Sequence, residues 1–505
     1  MRHTLLFLLF ISSYRYAQNL ETKIPIDGTL IFTGKTAILP ISNEVTGGIS
    51  FLKVDETELQ AYQIDKSGEM TAKLIIDIPK ELGAFLDAIH INGTLRLFFT
   101  KKDAVGYMDI DFETGKANEV VMEDVYQKKE RLIGYYGTKN KFYTVTIQEN
   151  SSLGVYVFSD KDGYEKIVFD SDNEFFVEKY LSQKLFSKKS LINIIKTEEE
   201  ASFTLNYNPK KLYVSENKIT ITIDYYKDEK GADHITDIIE LDIPSQKIEA
   251  YTINFPKIIK TRSVKKEIQS RSYIKNELLF QLVHTKDQLI VQVVDYKSAK
   301  VLGFFDMNEF TNGYFSPPER ETIPKYGFNK ADEIKKNVRF LRNLYQNKSA
   351  IAVYEEGNHY GIKIGAFKIP SAGHRMENQL KNTPGMVVYS VDPFFAAVSV
   401  TVFLTAIIAD GIAANPPNYG TTNSIYFNEK ELDTFSASLV IDKESFEPVA
   451  TAGIQSIYQK SRIHEKNLND NRIRLVKPSL FKIRGDYYFS YFSIRDRSFI
   501  ISNLL

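Results

Sequence analysis

Apolar and polar residues alternate along much of this chain with a period of two, and the alternation breaks at regular places into short polar turns. The clearest instance is Gly106–Val121, in which Met108, Ile110 and Phe112 alternate with polar neighbours, Glu113-Thr114-Gly115 interrupts, and a second extended run ends at Val120-Val121. Alternation broken by a glycine-containing turn is the pattern of a β-hairpin. The figure recurs, and marking each copy by the apolar residue that ends its first strand gives Ile64, Ile110, Phe158, Leu241, Val294, Phe367 and Ile441. At five of these the next residue is an aspartate (Asp65, Asp111, Asp242, Asp295, Asp442), a residue that opens turns by accepting hydrogen bonds from the backbone just ahead of it. Two further extended runs generally precede each hairpin, for example TLRLFFTKKD before the second and KFYTVTIQEN before the third.

Four strands per unit at a base interval in the high forties is the arithmetic of a β-propeller blade. Three strands at the C-terminus (SLFKIRG, DYYFSYFSIRD, SFIISNLL) lack a fourth, and a surplus strand near the N-terminus completes them, so the two ends close the ring and remove exposed edges. The repeat resembles β-propellers in general over roughly Gly28 to the C-terminus, without the Gly-His and Trp-Asp signature of one propeller family or the Ser-x-Asp-x-Gly box of another. The resemblance implies an all-β fold, a propeller of seven blades with eight as the other count, and it implies no particular activity. A pair of β-sandwiches is the rival fold if the longer intervals are domain breaks. The expected organisation is a signal peptide over 1–17 and a single propeller domain over 18–505, with insertions near 208–224, 319–345 and 385–422. The second insertion holds either a short helix with Ile334, Val338 and Leu341 on one face and Asn329 as a cap, or a strand at NVRFLRNL.

The third insertion, in a late blade, stands apart. Residues 393–409, PFFAAVSVTVFLTAIIA, carry no charge and are bounded by Asp392 and Asp410. As a helix the run would be about 25 Å long, less than the ~30 Å hydrocarbon layer, which makes it a poor membrane span. It reads either as a buried core segment or as an apolar projection that docks on a partner, with Pro393, Phe394, Phe395, Val398, Val400, Val402, Phe403, Leu404, Ile407 and Ile408 as the contact residues.

Composition sets the compartment and removes several chemistries. Basic and acidic residues are equal at 64 each, so the electrostatic footprint of a nucleic-acid binder is missing. The start of the chain, with Arg2 and His3, an apolar Leu5–Ile11 and a polar exit to Ala17, reads as a secretory leader. There are 0 cysteines, hence no disulfide framework, thiolate metal site, catalytic thiol or lipidated cysteine, and an exported body of this kind fits a Gram-negative periplasm or the periplasmic face of the outer membrane. His90, His234, His284, His359, His374 and His464 fall at no metal-ligand spacing, and no nucleophile elbow, phosphate-binding loop or dinucleotide fingerprint occurs. The expectation is therefore a non-catalytic subunit without cofactor or metal, whose partner is a protein such as an outer-membrane β-barrel and which meets the membrane at most peripherally. The alternative is a periplasmic hydrolase or lyase, or a glycan-binding protein, acting on envelope polymers. A basic stretch, Lys257 to Lys266, meets an anionic surface in one reading and is a solvated linker in the other.

Overall fold

The computed structural model describes residues 22–25, 37–54, 58–77, 82–101, 103–128, 130–148, 152–160, 163–170, 192–224, 235–254, 268–285, 288–306, 319–321, 337–368, 433–449, 454–471, 473 and 475–504. The described residues form seven sheets of consecutive, mainly antiparallel strands, six of four strands and one of five. This is the blade pattern of a seven-bladed β-propeller. The chain divides into two compact units, Met1–Ile76 with Ile457–Leu505 and Asp77–Ser456.

The first unit holds two sheets. Strands β2 (Ala37–Ser42), β3 (Ile49–Val54), β4 (Glu58–Ile64) and β5 (Met70–Asp77) follow one another in a meander. The other sheet joins the two ends of the chain: β1 (Thr22–Pro25) pairs antiparallel with β29 (Ser498–Asn503), which continues to β28 (Asp486–Ser493) and β27 (Leu475–Ile483). Thr22 lies opposite Ile501 and Pro25 opposite Ser498, so the expected closure by the termini is made by TKIP. The two sheets share one apolar core, in which Phe51 of β3 stacks on Phe499 of β29 at 5.0 Å beside Ile24, Tyr62, Phe481 and Ile501.

The second unit holds five sheets. The first two are β6 (Ala84–Ile91), β7 (Thr94–Lys101), β8 (Ala104–Asp111) and β9 (Lys116–Met122), then β10 (Arg131–Gly137), β11 (Phe142–Ile147), β12 (Leu153–Phe158) and β13 (Glu165–Phe169). The third has β14 (Asn193–Lys196), β15 (Lys210–Val214), β16 (Lys218–Asp224), β17 (Ile235–Asp242) and β18 (Lys247–Asn254), with β14 added in parallel beside β15 after a 3-10 turn links the two (Phe203–Tyr207). Residues 208–224 thus supply two regular strands of this sheet, and the added strand is β14. The fourth has β19 (Gln269–Lys275), β20 (Leu278–His284), β21 (Leu289–Asp295) and β22 (Lys300–Asp306). In each of these four sheets the final strand is the exposed edge: β9 and β18 alternate exposed and partly covered residues, whereas β11 and β12 are buried throughout. The inner strands are apolar on both faces because sheets pack on both sides of them, as in the cluster that runs from Tyr136 and Val155 to Ile221 and Leu241.

The fifth sheet departs from the repeat. Its order is β23 (Glu319–Glu321), β26 (Asp433–Asp442), β25 (His359–Lys368), β24 (Lys348–Glu356), so the outer place is taken by a strand that comes earlier in the chain. After Asp442 the expected hairpin continues, among the described residues, as the Ile441–Pro448 bridge with backbone hydrogen bonds from Asp442 to Glu447 and from Val449 to Val440, and not as a regular strand. Among the described residues Phe367 opens no hairpin of its own: it is a buried residue near the end of β25, which is already paired on both sides by β24 and β26, and the β24–β25 turn is at Gly357-Asn358. With that copy removed six hairpin copies and the terminal sheet remain, and the number of blades is seven. Helix α1 (Asn337–Gln346) resolves the second insertion in favour of helix, burying Phe340, Leu341 and Leu344 against this region; Asn329 and Ile334 lie outside the described residues. A second helix, α2 (Ile457–Asp470), precedes β27.

One turn design repeats. Asp111 Oδ1 accepts from the backbone N–H of Glu113 and Thr114 while the Thr114 hydroxyl donates to Oδ2. Asp242 and Asp442 receive the backbone and hydroxyl of Ser245 and Ser445 in the same way, and Asp295 receives the backbone of Lys297 and Ser298. The residue after each Thr or Ser takes a positive φ: Gly115 at 68°, Gln246 at 55°, Ala299 at 55° and Phe446 at 57°.

Candidate functional site

Every residue named from the sequence as a partner contact, Pro393 through Ile408, lies outside the described residues. The described residues do define where that stretch is rooted. β25 and β26 pair in unbroken register from His359↔Asp442 to Lys368↔Asp433, so the last described residue before that stretch and the first after it lie directly opposite each other.

Lys368 and Asp433 stand at the end of the blade sheets where first strands begin and second strands finish, opposite the aspartate turns. At this same end the second unit gathers cations from three sheets: Arg131 opens β10, Lys210 and Lys211 open β15, and Arg271 lies near the start of β19. Their sheets meet side by side: a Cβ at Gly134 of β10 would come within 2.8 Å of the Leu212 side chain of β15, and β16 packs on β19. Successive residues of a strand face opposite sides of its sheet, so Lys210 and Lys211 serve two different neighbourhoods.

On one side Lys210 lies near Arg131. Burial, and then the Arg131 guanidinium, push the Lys210 ammonium down to about 8. Burial also lowers Arg131, which makes no ion pair among the described residues. On the other side Lys211, fully buried, pairs with Asp224 at 3.2 Å. Burial lowers Lys211, the Asp224 carboxylate opposes that shift, and Arg271 adds to it. Asp224 is saturated: it also accepts from the Thr236 hydroxyl at 2.8 Å and the Ser272 backbone N–H at 2.9 Å. The polar chain continues from Thr236 to Gln281 at 2.8 Å and on to Gln292. Arg271 donates through Nη1 to the Ser270 carbonyl, and its Nε–H finds no acceptor among the described residues. His284, at 0% exposure, lies against the Thr285 backbone and makes no hydrogen bond of good geometry through either ring nitrogen among the described residues; burial and the nearby Arg271 charge hold it down to about 3, so the ring is neutral.

Two further charged groups are held by side-chain partners. Glu130 accepts from Tyr156 at 2.6 Å and from Thr146 at 2.5 Å, and Arg96 makes a two-point bond to Asp109 at 2.6 and 2.7 Å while lying 3.9 Å from the Tyr107 ring centroid. Among the described residues no group of three His, Asp or Glu side chains is placed to hold a metal, and no helix is long and apolar enough to cross a membrane. The cation cluster was not legible in the sequence. Its members come from three separate repeats, and the one local sign, the pair Lys210-Lys211, looks like an ordinary strand start.

No family model matches the chain, and no curated protein matches it. Solved structures do. The β-propeller domain of Nup133 from Vanderwaltozyma polyspora is 10% identical over 55% of this chain and 75% of that one, with a TM-score of 0.27. TolB from Acinetobacter baumannii is 10% identical over 50% of this chain and 52% of that one, with a TM-score of 0.22. A prolyl endopeptidase is 7% identical over 90% of this chain and 46% of that one, with a TM-score of 0.35. At such identities and scores, the assignment to the β-propeller class rests on the chain's own seven sheets.

Proposed function

We propose that this chain is an exported, non-catalytic β-propeller that acts as a protein-interaction subunit, docking on an outer-membrane secretion or assembly complex through residues 393–409 and plugging or gating its β-barrel. The observation that carries this reading is the root of the third insertion. Lys368 and Asp433 are register partners, so the β25–β26 pair needs no more than a short turn to be complete. The stretch 369–432 connects the two strands and contains the uncharged run. In the proposed role, the Phe, Val, Leu and Ile side chains of that run are the partner contact. The leader over 1–17 and the absence of cysteine support an envelope setting, and a barrel offers an apolar or protein-lined recess that a peripheral subunit can enter without spanning the bilayer.

The test is a photo-crosslinking amino acid placed at Phe394 and at Phe403 in cells. The reading expects a specific adduct with an outer-membrane barrel at one or both sites. Adducts only within the chain itself would oppose it and return the segment to the core. The alternative, a periplasmic hydrolase or lyase, or a glycan-binding protein, draws on the cations at the strand-start end. As an enzyme it would draw its acid or base from that end, where the carboxylates Asp224 and Glu130 are committed to hydrogen bonds and Lys210, held down to about 8, is the candidate base.

A further inference from the structure

We propose that Arg271 and His284 bind a compact oxyanion, the carboxylate or phosphate group of a small ligand, at the strand-start end of the fourth sheet. The inference is independent of docking through residues 393–409.

The placement follows from register. Gln269 lies opposite His284 and Arg271 opposite Leu282 across β19 and β20. Paired residues share a face, so Arg271 and His284 are diagonal neighbours on the same side of the sheet, about 7–8 Å apart by the usual strand geometry. Among the described residues neither the Arg271 Nε–H nor the His284 ring makes a hydrogen bond of good geometry, the ring lying against the Thr285 backbone. Buried polar groups in folded proteins are nearly always partnered, and two neighbouring exceptions on one face call for a missing partner.

Charge identifies what that partner is. Arg271 and Lys211 bring two positive charges into this neighbourhood, and the one carboxylate acting on both is Asp224. Asp224 already serves Lys211, Thr236 and Ser272, which leaves Arg271 without a hydrogen-bonded counter-charge among the described residues. A cation set this deep and left unpaired is costly. An oxyanion offers two acceptors in the geometry of the guanidinium edge, and a neutral imidazole supplies one further N–H donor. A water molecule would fill the hydrogen bonds but leave the charge uncompensated. Arg271 keeps some accessible surface, whereas His284 has none, so the guanidinium is the group an arriving anion meets first.

The experiment titrates the full chain with inorganic phosphate and, separately, acetate, with sodium chloride holding ionic strength constant, and reads thermal midpoint and calorimetric binding. The expected result is saturable binding and stabilisation by at least one of the two anions, the responding anion identifying the ligand class. Arg271→Gln should weaken that binding about tenfold or more, the loss expected for a charge-assisted hydrogen bond. Should Arg271→Gln fail to fold, the imidazole resonances of His284 in the unaltered protein decide: they shift with anion occupancy if the proposal holds. No saturable response to either anion, equal affinity in Arg271→Gln, or His284 resonances that stay fixed through saturation would each overturn it.

Discussion

At the scale of residues, the repeated aspartate turn is the most testable device. Hydrogen bonds from the following Ser or Thr and from backbone N–H groups hold the carboxyls of Asp65, Asp111, Asp242, Asp295 and Asp442 below the ordinary value of 3.8. A carboxyl depressed in the folded state stabilises the fold fully above its unfolded value, and that contribution is lost as pH falls through the folded value. Asp295→Ala should therefore lower the thermal midpoint at neutral pH and flatten the fall in stability below about pH 4, measured by thermal melts across pH. Lys210 has the opposite sense. Its folded value of about 8 lies below the ordinary 10.5, so the fold disfavours the ammonium, and the stability penalty is relieved as pH rises from the first value to the second. Lysine NMR should find this titration near 8, and Arg131→Ala should move it upward. At Ala299 the φ of 55° strains an L-residue, and Ala299→Gly should raise stability by about 0.5–1 kcal/mol in denaturant melts. The aspartates were readable from sequence because their bonding is local. The left-handed positions at Gln246, Ala299 and Phe446 were not, because no glycine marks them.

Among elements, the short β1 does more than its length implies. It covers the outer edge of β29 and places Ile24, at 1% exposure, in the core shared with Phe51 and Phe499. Removing residues 22–25 uncovers that edge, and the expected outcome is a lower melting temperature together with concentration-dependent self-association, followed by light scattering. Element type was legible wherever the alternation was strict, as at β8 and β9. It failed at Phe367 because HYGIKIGAFK alternates like a hairpin arm while serving as one long inner strand, with its polar Lys363 kept nearly buried at 7% exposure. The fourth place in that sheet went to β23, a three-residue strand far upstream whose pairing with β26 no local pattern announces. The cations of the candidate site were hidden for the same reason: periodicity reports which face a residue takes, and only topology reports which repeats become neighbours.

For the whole molecule, the proposed docking role places the partner contact in the connection between β25 and β26, residues 369–432. TKIP completes the sheet that joins the two ends of the chain, and β25 and β26 hold their register as far as the Lys368–Asp433 pair. The uncharged run 393–409 was visible in the sequence as an anomaly, and the sheet pairing explains how a blade tolerates it. The most direct measurement compares the tagged full chain with a version in which an Asn-Gly turn replaces residues 369–432, each recovered in mild detergent from envelope membranes. The account predicts that both melt cooperatively at similar temperatures and that only the full chain brings down an outer-membrane barrel in stoichiometric amount. Unfolding of the replaced chain, or equal recovery of the barrel by both, would contradict it.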